Sequence, residues 1–156
     1  MLAEIAAWAK DQNLSLFQLL QKIYVEYGFS KEKGISVVKK GKSGAEEIEA
    51  MMKHYRENPL KEIAGSKVTF FYDFASLKGI DYTENETITL DMPTTSNVLQ
   101  YFTEDGTKVS IRPSGTEPKI KFYCEVHSKV KSADELPAAE VAAQEKIEQI
   151  KASLGI

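Results

Sequence analysis

The chain has 156 residues, enough to bury one hydrophobic core, and 42% of them are apolar. Its formal charge of -3 lacks the basic excess with which general nucleic-acid binders displace counterions, so any anion site must be local. The single cysteine, Cys124, cannot close an internal disulfide. No charged-then-apolar leader is evident, and no apolar run approaches the roughly 20 residues that span a bilayer, so a cytoplasmic setting without membrane contact is the expectation.

Met1 to Lys10 has an alanine-rich helical composition, with Leu2, Ile5, Ala6 and Ala9 on one face, Trp8 beside it and no capping residue in front. Such an uncapped start reads as a helix cut from something longer. A second helix is predicted from Ser15 to Tyr27 by the spacing of Leu16, Leu19, Leu20 and Ile23, with Gly28 as its stop. Ile35–Val38 is a short strand. Ser43 to Glu46 has the form of a capping box opening a helix whose buried stripe is Ile48, Met51, Met52 and Tyr55, ended by Asn58-Pro59.

From Lys67 the pattern is that of strands: Val68–Phe74, Thr87–Leu90 and Asn97–Phe102, with a tight turn at Glu104-Asp105-Gly106-Thr107. Val109 and Ile111 alternate with Lys108, Ser110 and Arg112. Ile120, Phe122, Cys124 and Val126 alternate with Lys119, Lys121, Tyr123 and Glu125, which puts the cations on the face away from the core. The acidic stretch Asp81–Glu86 reads as a solvated loop. A last helix begins near Pro137, carries Ala139, Ala143, Ile147, Ile150 and Leu154, and ends at Gly155. The expected class is α+β: a mostly antiparallel sheet of about four to five strands with helices on one face, preceded by an N-terminal helical segment.

Between two of these strands runs Arg112-Pro113-Ser114-Gly115-Thr116-Glu117-Pro118-Lys119-Ile120-Lys121-Phe122-Tyr123, whose residue types suit a phosphate dianion. Arginine offers a planar fork of donors that matches two phosphate oxygens. Ser114 and Thr116 add hydroxyls, Gly115 permits a positive backbone dihedral that turns amides toward an anion, and the prolines stiffen the loop before a ligand arrives. An ordinary hairpin turn would also use Pro, Ser and Gly.

As a whole, the run resembles the phosphate-binding loop of the α-D-phosphohexomutases, the phosphoglucomutase and phosphomannomutase family, whose C-terminal domain carries an Arg-Pro-Ser-Gly-Thr-Glu-Pro signature. The resemblance covers roughly residues 29–156, and residues 1–28 are similar to the end of the preceding domain. It implies an enzyme that moves a phosphoryl group between C1 and C6 of a hexose through a phosphoserine, a hexose bisphosphate and magnesium. It also implies that this domain grips the phosphate that does not react. By that resemblance Arg112, Ser114, Gly115 and Thr116 contact the phosphate, and Lys119 and Lys121 add positive field; Glu117 is an accessory candidate, since a carboxylate beside a phosphate costs binding unless it pairs with Lys119, Arg112 or a sugar hydroxyl. The family's phosphoserine, magnesium-binding and sugar-recognition segments have no counterpart in this sequence and are expected upstream of Met1. On this reading the isolated chain binds a hexose phosphate but is not catalytic, and its exposed first helix promotes weak self-association. A free-standing phosphate- or nucleic-acid-binding module is the alternative.

Other patterns yield less. Gly41-Lys42-Ser43 ends like a P-loop, but the earlier glycine would fall at Ser36 inside a strand. Ser114 lacks a nucleophile elbow, His54 and His127 read as surface or boundary residues, and one cysteine with two distant histidines makes no zinc spacing. Asp73 reads as a turn residue. Phe70, Phe71, Tyr72, Phe74, Tyr101, Phe102, Phe122 and Tyr123 are accounted for by core packing and sheet propensity.

Overall fold

The computed structural model describes residues 1–39, 41 and 43–156. In chain order the elements are helix α1 (Leu2–Asp11), α2 (Leu16–Tyr27), strand β1 (Phe29–Val38), α3 (Gly44–Glu57), β2 (Glu62–Ile63), β3 (Ser66–Asp73), β4 (Lys78–Asp81), β5 (Glu86–Thr89), β6 (Leu99–Thr103), β7 (Lys108–Pro113), β8 (Lys119–Ser128) and α4 (Leu136–Leu154). The α+β class is as expected. The sheet, however, has eight strands instead of four to five, in the order β1-β8-β7-β6-β3-β4-β5 with β2 on β3. The pairs β2–β3, β3–β4, β3–β6, β4–β5, β6–β7 and β7–β8 are all antiparallel.

The extra strands have identifiable reasons for escaping a sequence pattern. β1 begins at Phe29, ahead of Ile35, because its first half, Ser30-Lys31-Glu32-Lys33, is polar and gains its structure from lying beside β8. β4 contains Gly79, a poor strand former, yet the site needs one: a Cβ there would lie 2.6 Å from the Tyr72 ring and 3.0 Å from the Phe71 carbonyl oxygen. The acidic stretch is a hairpin turn and not a free loop. Asp81 and Glu86 are paired across β4 and β5, and Asp81 accepts from the Thr83 amide at 2.8 Å.

By contact density the chain divides into two compact units. One comprises Met1–Lys31 with His127–Glu145, the other Glu32–Val126 with Lys146–Ile156. In the first, α2 opens on a capping box between Ser15 and Gln18, while α1 has no side-chain cap and leaves Leu2, Ile5 and Trp8 exposed. Tyr24 and Phe29 meet edge to face, with ring centroids 5.1 Å apart.

In the second unit, alternation along the strands sends Leu99, Tyr101, Val109, Ile111, Ile120, Phe122 and Cys124 to one buried face. Tyr55 of α3 packs against Phe122, and its hydroxyl donates to the Leu154 carbonyl of α4 at 2.6 Å. The Tyr101 hydroxyl donates to the Tyr55 carbonyl at 3.0 Å. Ile48, Met52 and Tyr55 form the expected stripe of α3, but Met51 is only half-buried. The start of α3 also departs from expectation. Ser43 has αR geometry and makes no side-chain cap, so there is no capping box, and Gly44 is required because a Cβ would lie 2.4 Å from the Lys39 carbonyl oxygen. None of the described helices is long and apolar enough to cross a membrane.

Candidate phosphate-binding site

β7 and β8 are joined by the loop that the sequence singles out. Their register pairs Arg112 with Lys121 and Pro113 with Ile120. The Ser114 amide donates to the Lys119 carbonyl at 2.8 Å and the Lys119 amide to the Glu117 carbonyl at 2.7 Å, so the chain turns within Gly115 to Pro118. Gly115 is exposed with open space where a Cβ would stand, but it does not adopt the anticipated positive φ; the glycines that do are Gly28, Gly41, Gly65, Gly106 and Gly155.

Strand alternation separates the expected phosphate contacts into two groups. Arg112 and Lys121 stand side by side on the face away from Ile111 and Phe122, two cations that form no ion pair among the described residues. Ser114, Gly115, Thr116 and Glu117 instead line an open cavity of about 720 Å³ between the loop and α3. Glu117 pairs with Lys119, one of its three expected partners. The Lys119 ammonium, by hydrogen bond and by charge, holds the Glu117 carboxyl below the usual carboxylate range. The charge of Lys121 lowers it further, so both lysines act on Glu117.

The far wall of the cavity is a helical stripe of α3 that includes Ile48, Met52 and Arg56. Arg56, which the sequence reading passed over, is tightly held. Its Nε lies 3.2 Å from Oδ1 of Asp73, too poorly aligned to count as a hydrogen bond, and its Nη2 donates to Oδ1 of Asn97 at 2.8 Å. Asp73 is 5% exposed and also accepts from the Ser76 hydroxyl at 2.7 Å and the Ala75 amide at 3.1 Å, so its turn role is real but shared with Arg56. The available signal was an arginine eight residues after Ile48 and four after Met52, on the edge of a buried stripe.

His54 and His127 are exposed and neither lines the cavity. Lys42 of the P-loop-like string lies outside the described residues. Among the described residues, no group of three or more His, Cys, Asp or Glu side chains is placed to hold a metal ion.

A phosphate-type loop on an antiparallel hairpin is the arrangement on which comparison with known proteins bears. Residues 35–144 match the family model of the phosphoglucomutase/phosphomannomutase C-terminal domain. The chain belongs to this family. Within this phosphohexomutase family it is 35% identical over 114 residues to a phosphoglucomutase of Staphylococcus haemolyticus, covering 73% of this chain and 20% of the relative. It is 33% identical over 123 residues to one of Staphylococcus aureus, covering 79% and 22%. The solved open form of parafusin, a phosphoglucomutase from Paramecium, aligns with 97% of this chain and 26% of its own at 15% identity and a TM-score of 0.43, too low to bear on the assignment. The chain thus spans about a fifth of the length of the curated relatives it matches. The family match takes in the phosphohexomutase loop and α3 whole and leaves α1 and α2 outside.

Proposed function

We propose that this chain is the substrate-phosphate-binding part of a phosphoglucomutase or phosphomannomutase that interconverts hexose 1-phosphate and hexose 6-phosphate, and that it is not catalytic by itself. The observation that carries the proposal is the unbroken Arg112–Pro118 signature on a hairpin in which Arg112 and Lys121 adjoin. Arg112 supplies a bidentate fork and Lys121 a second charge, while Ser114, Gly115 and Thr116 donate from hydroxyls and amides to the phosphate that stays put. Phosphoryl transfer depends on positioning and charge stabilisation, and holding the unreactive end of the substrate is a positioning role.

The remaining machinery belongs to upstream domains of the parent protein: the phosphoserine, the sugar reader and the magnesium site, with a hexose bisphosphate as intermediate. Magnesium supplies Lewis-acid charge stabilisation there, and the residues described here do not fit it. Residues 1–28 belong to the end of the preceding domain and residues 29–156 form the C-terminal domain. The setting is the cytoplasm, and neither nucleic acid nor membrane is a partner.

An NMR titration with inorganic phosphate tests the reading. The amides of Ser114 to Glu117 are expected to shift and saturate, and Arg112→Ala to abolish the shifts with the rest of the spectrum intact. Unmoved loop amides, or equal shifts in the variant, would remove the cradle.

A further inference from the structure

The cavity beside the loop is larger than its proposed phosphate needs. At about 720 Å³ it lies within the roughly 300–1,000 Å³ of small-molecule sites, several times what one phosphate ion displaces. Arg112 and Lys121 are not among its lining residues, so the cation fixed in its wall comes from α3. Lys53 is also there, but it is solvent-exposed and tied only loosely to Glu57 at 3.9 Å. Arg56 is different: Asp73 holds its Nε side, Asn97 holds Nη2, and the side chain is 31% exposed although Nε itself is sealed. The exposed part of the side chain therefore lies elsewhere than Nε, and Arg56 is among the residues that line the cavity.

Sheet register brings this group to the loop. Leu99 pairs with Ile111, and both Asn97, in the bend that leads into β6, and Pro113, at the end of β7, line the cavity. The guanidinium bonded to Asn97 and the turn that follows Pro113 thus meet at one rim. With Asp73 offsetting its charge, Arg56 acts there as an oriented hydrogen-bond donor more than as a free cation.

We infer that Arg56, held by Asp73 and Asn97, is a second ligand-binding residue, donating to a non-phosphate oxygen of the phosphorylated ligand whose phosphate the loop holds. The inference rests on the phosphate reading of the loop. The ligand class is a phosphate ester of a polyhydroxylated compound, with its hydroxyl-bearing body extending from the loop into the cavity. Arg56 contacts the ligand, and Asp73 and Asn97 are positioning residues.

The test compares two probes, inorganic phosphate and glucose 1-phosphate, titrated against the full chain and followed by the loop amides. Arg56→Lys keeps a charge for Asp73 but loses the fork. It is expected to weaken glucose 1-phosphate about fivefold while leaving inorganic phosphate within about twofold. Asn97→Ala, at an exposed position, is expected to give the same selective loss at about two- to threefold, and it decides the matter should Arg56→Lys fail to fold. Unchanged affinity for both probes, or an equal loss of both, overturns the role of Arg56. An unaltered chain that binds neither probe instead overturns the phosphate reading, and this inference with it.

Discussion

Two side chains remote from the loop give the sharpest expectations at the scale of single residues. Cys124 is 1% exposed, and burial pushes its thiol up to about 11, so it is a packed hydrophobe and not a nucleophile. Labelling by a disulfide reagent at neutral pH should be slow in the native chain and fast in urea; rapid native labelling would contradict the packing. At Asp105, burial alone would raise the carboxyl, but hydrogen bonds from Lys146, Thr103 and Thr107 outweigh it and hold the group well below the usual range. A folded-state value below the unfolded one means that the stabilisation is complete above the ordinary carboxylate value, about 3.9, and is lost as pH falls toward the folded value. Lys146→Met removes the main partner and should move the acid-unfolding midpoint, followed by circular dichroism, to higher pH. An unchanged midpoint would show that the pair contributes nothing. Glu117 illustrates what a sequence leaves open at this scale: three partners were compatible with its position, and the fold of the turn brings Lys119 to it.

The elements are held by contacts that local pattern does not contain. At the start of α3, Gly44→Ala would drive a methyl group onto the Lys39 carbonyl, 2.4 Å away, and is expected to cost about 1–3 kcal/mol in urea denaturation. A change below about 0.5 kcal/mol would mean that the strand end yields freely. The alternating segments β3, β6, β7 and β8 and the helices α2, α3 and α4 were legible because each has one apolar face of the right period. β2 is only two residues long, β4 carries a glycine that packs beneath Tyr72, and the first half of β1 is polar, so none of them presents a periodic signal. The capping box expected at Ser43 was also a local rule overridden by context, since Gly44 must press against the end of β1 and Ser43 is drawn into αR geometry. The site was legible in part for the same reason. The loop signature is contiguous in sequence, whereas Arg56, Asp73 and Asn97 converge only through the packing of α3 on the sheet.

On the scale of the whole molecule, family membership follows from residues 35–144, and the role in a mutase is a proposal, because the stretch that matches covers only 20% of the Staphylococcus haemolyticus relative. Leu2, Ile5, Trp8, Phe17 and Leu20 form an exposed apolar set on α1 and α2, an area of the kind that promotes association. Sedimentation equilibrium is expected to show weak, concentration-dependent self-association that Trp8→Lys reduces, and a strict monomer at high concentration would count against it. The central claim is that the Arg112–Pro118 loop recognises the phosphate of a sugar phosphate, and calorimetric titration of the chain with glucose 1-phosphate and with glucose tests it most directly. Saturable binding of glucose 1-phosphate is expected, with a dissociation constant on the order of millimolar that weakens as salt is added, and no binding of glucose. Equal responses to the two sugars, or none to glucose 1-phosphate, would contradict it.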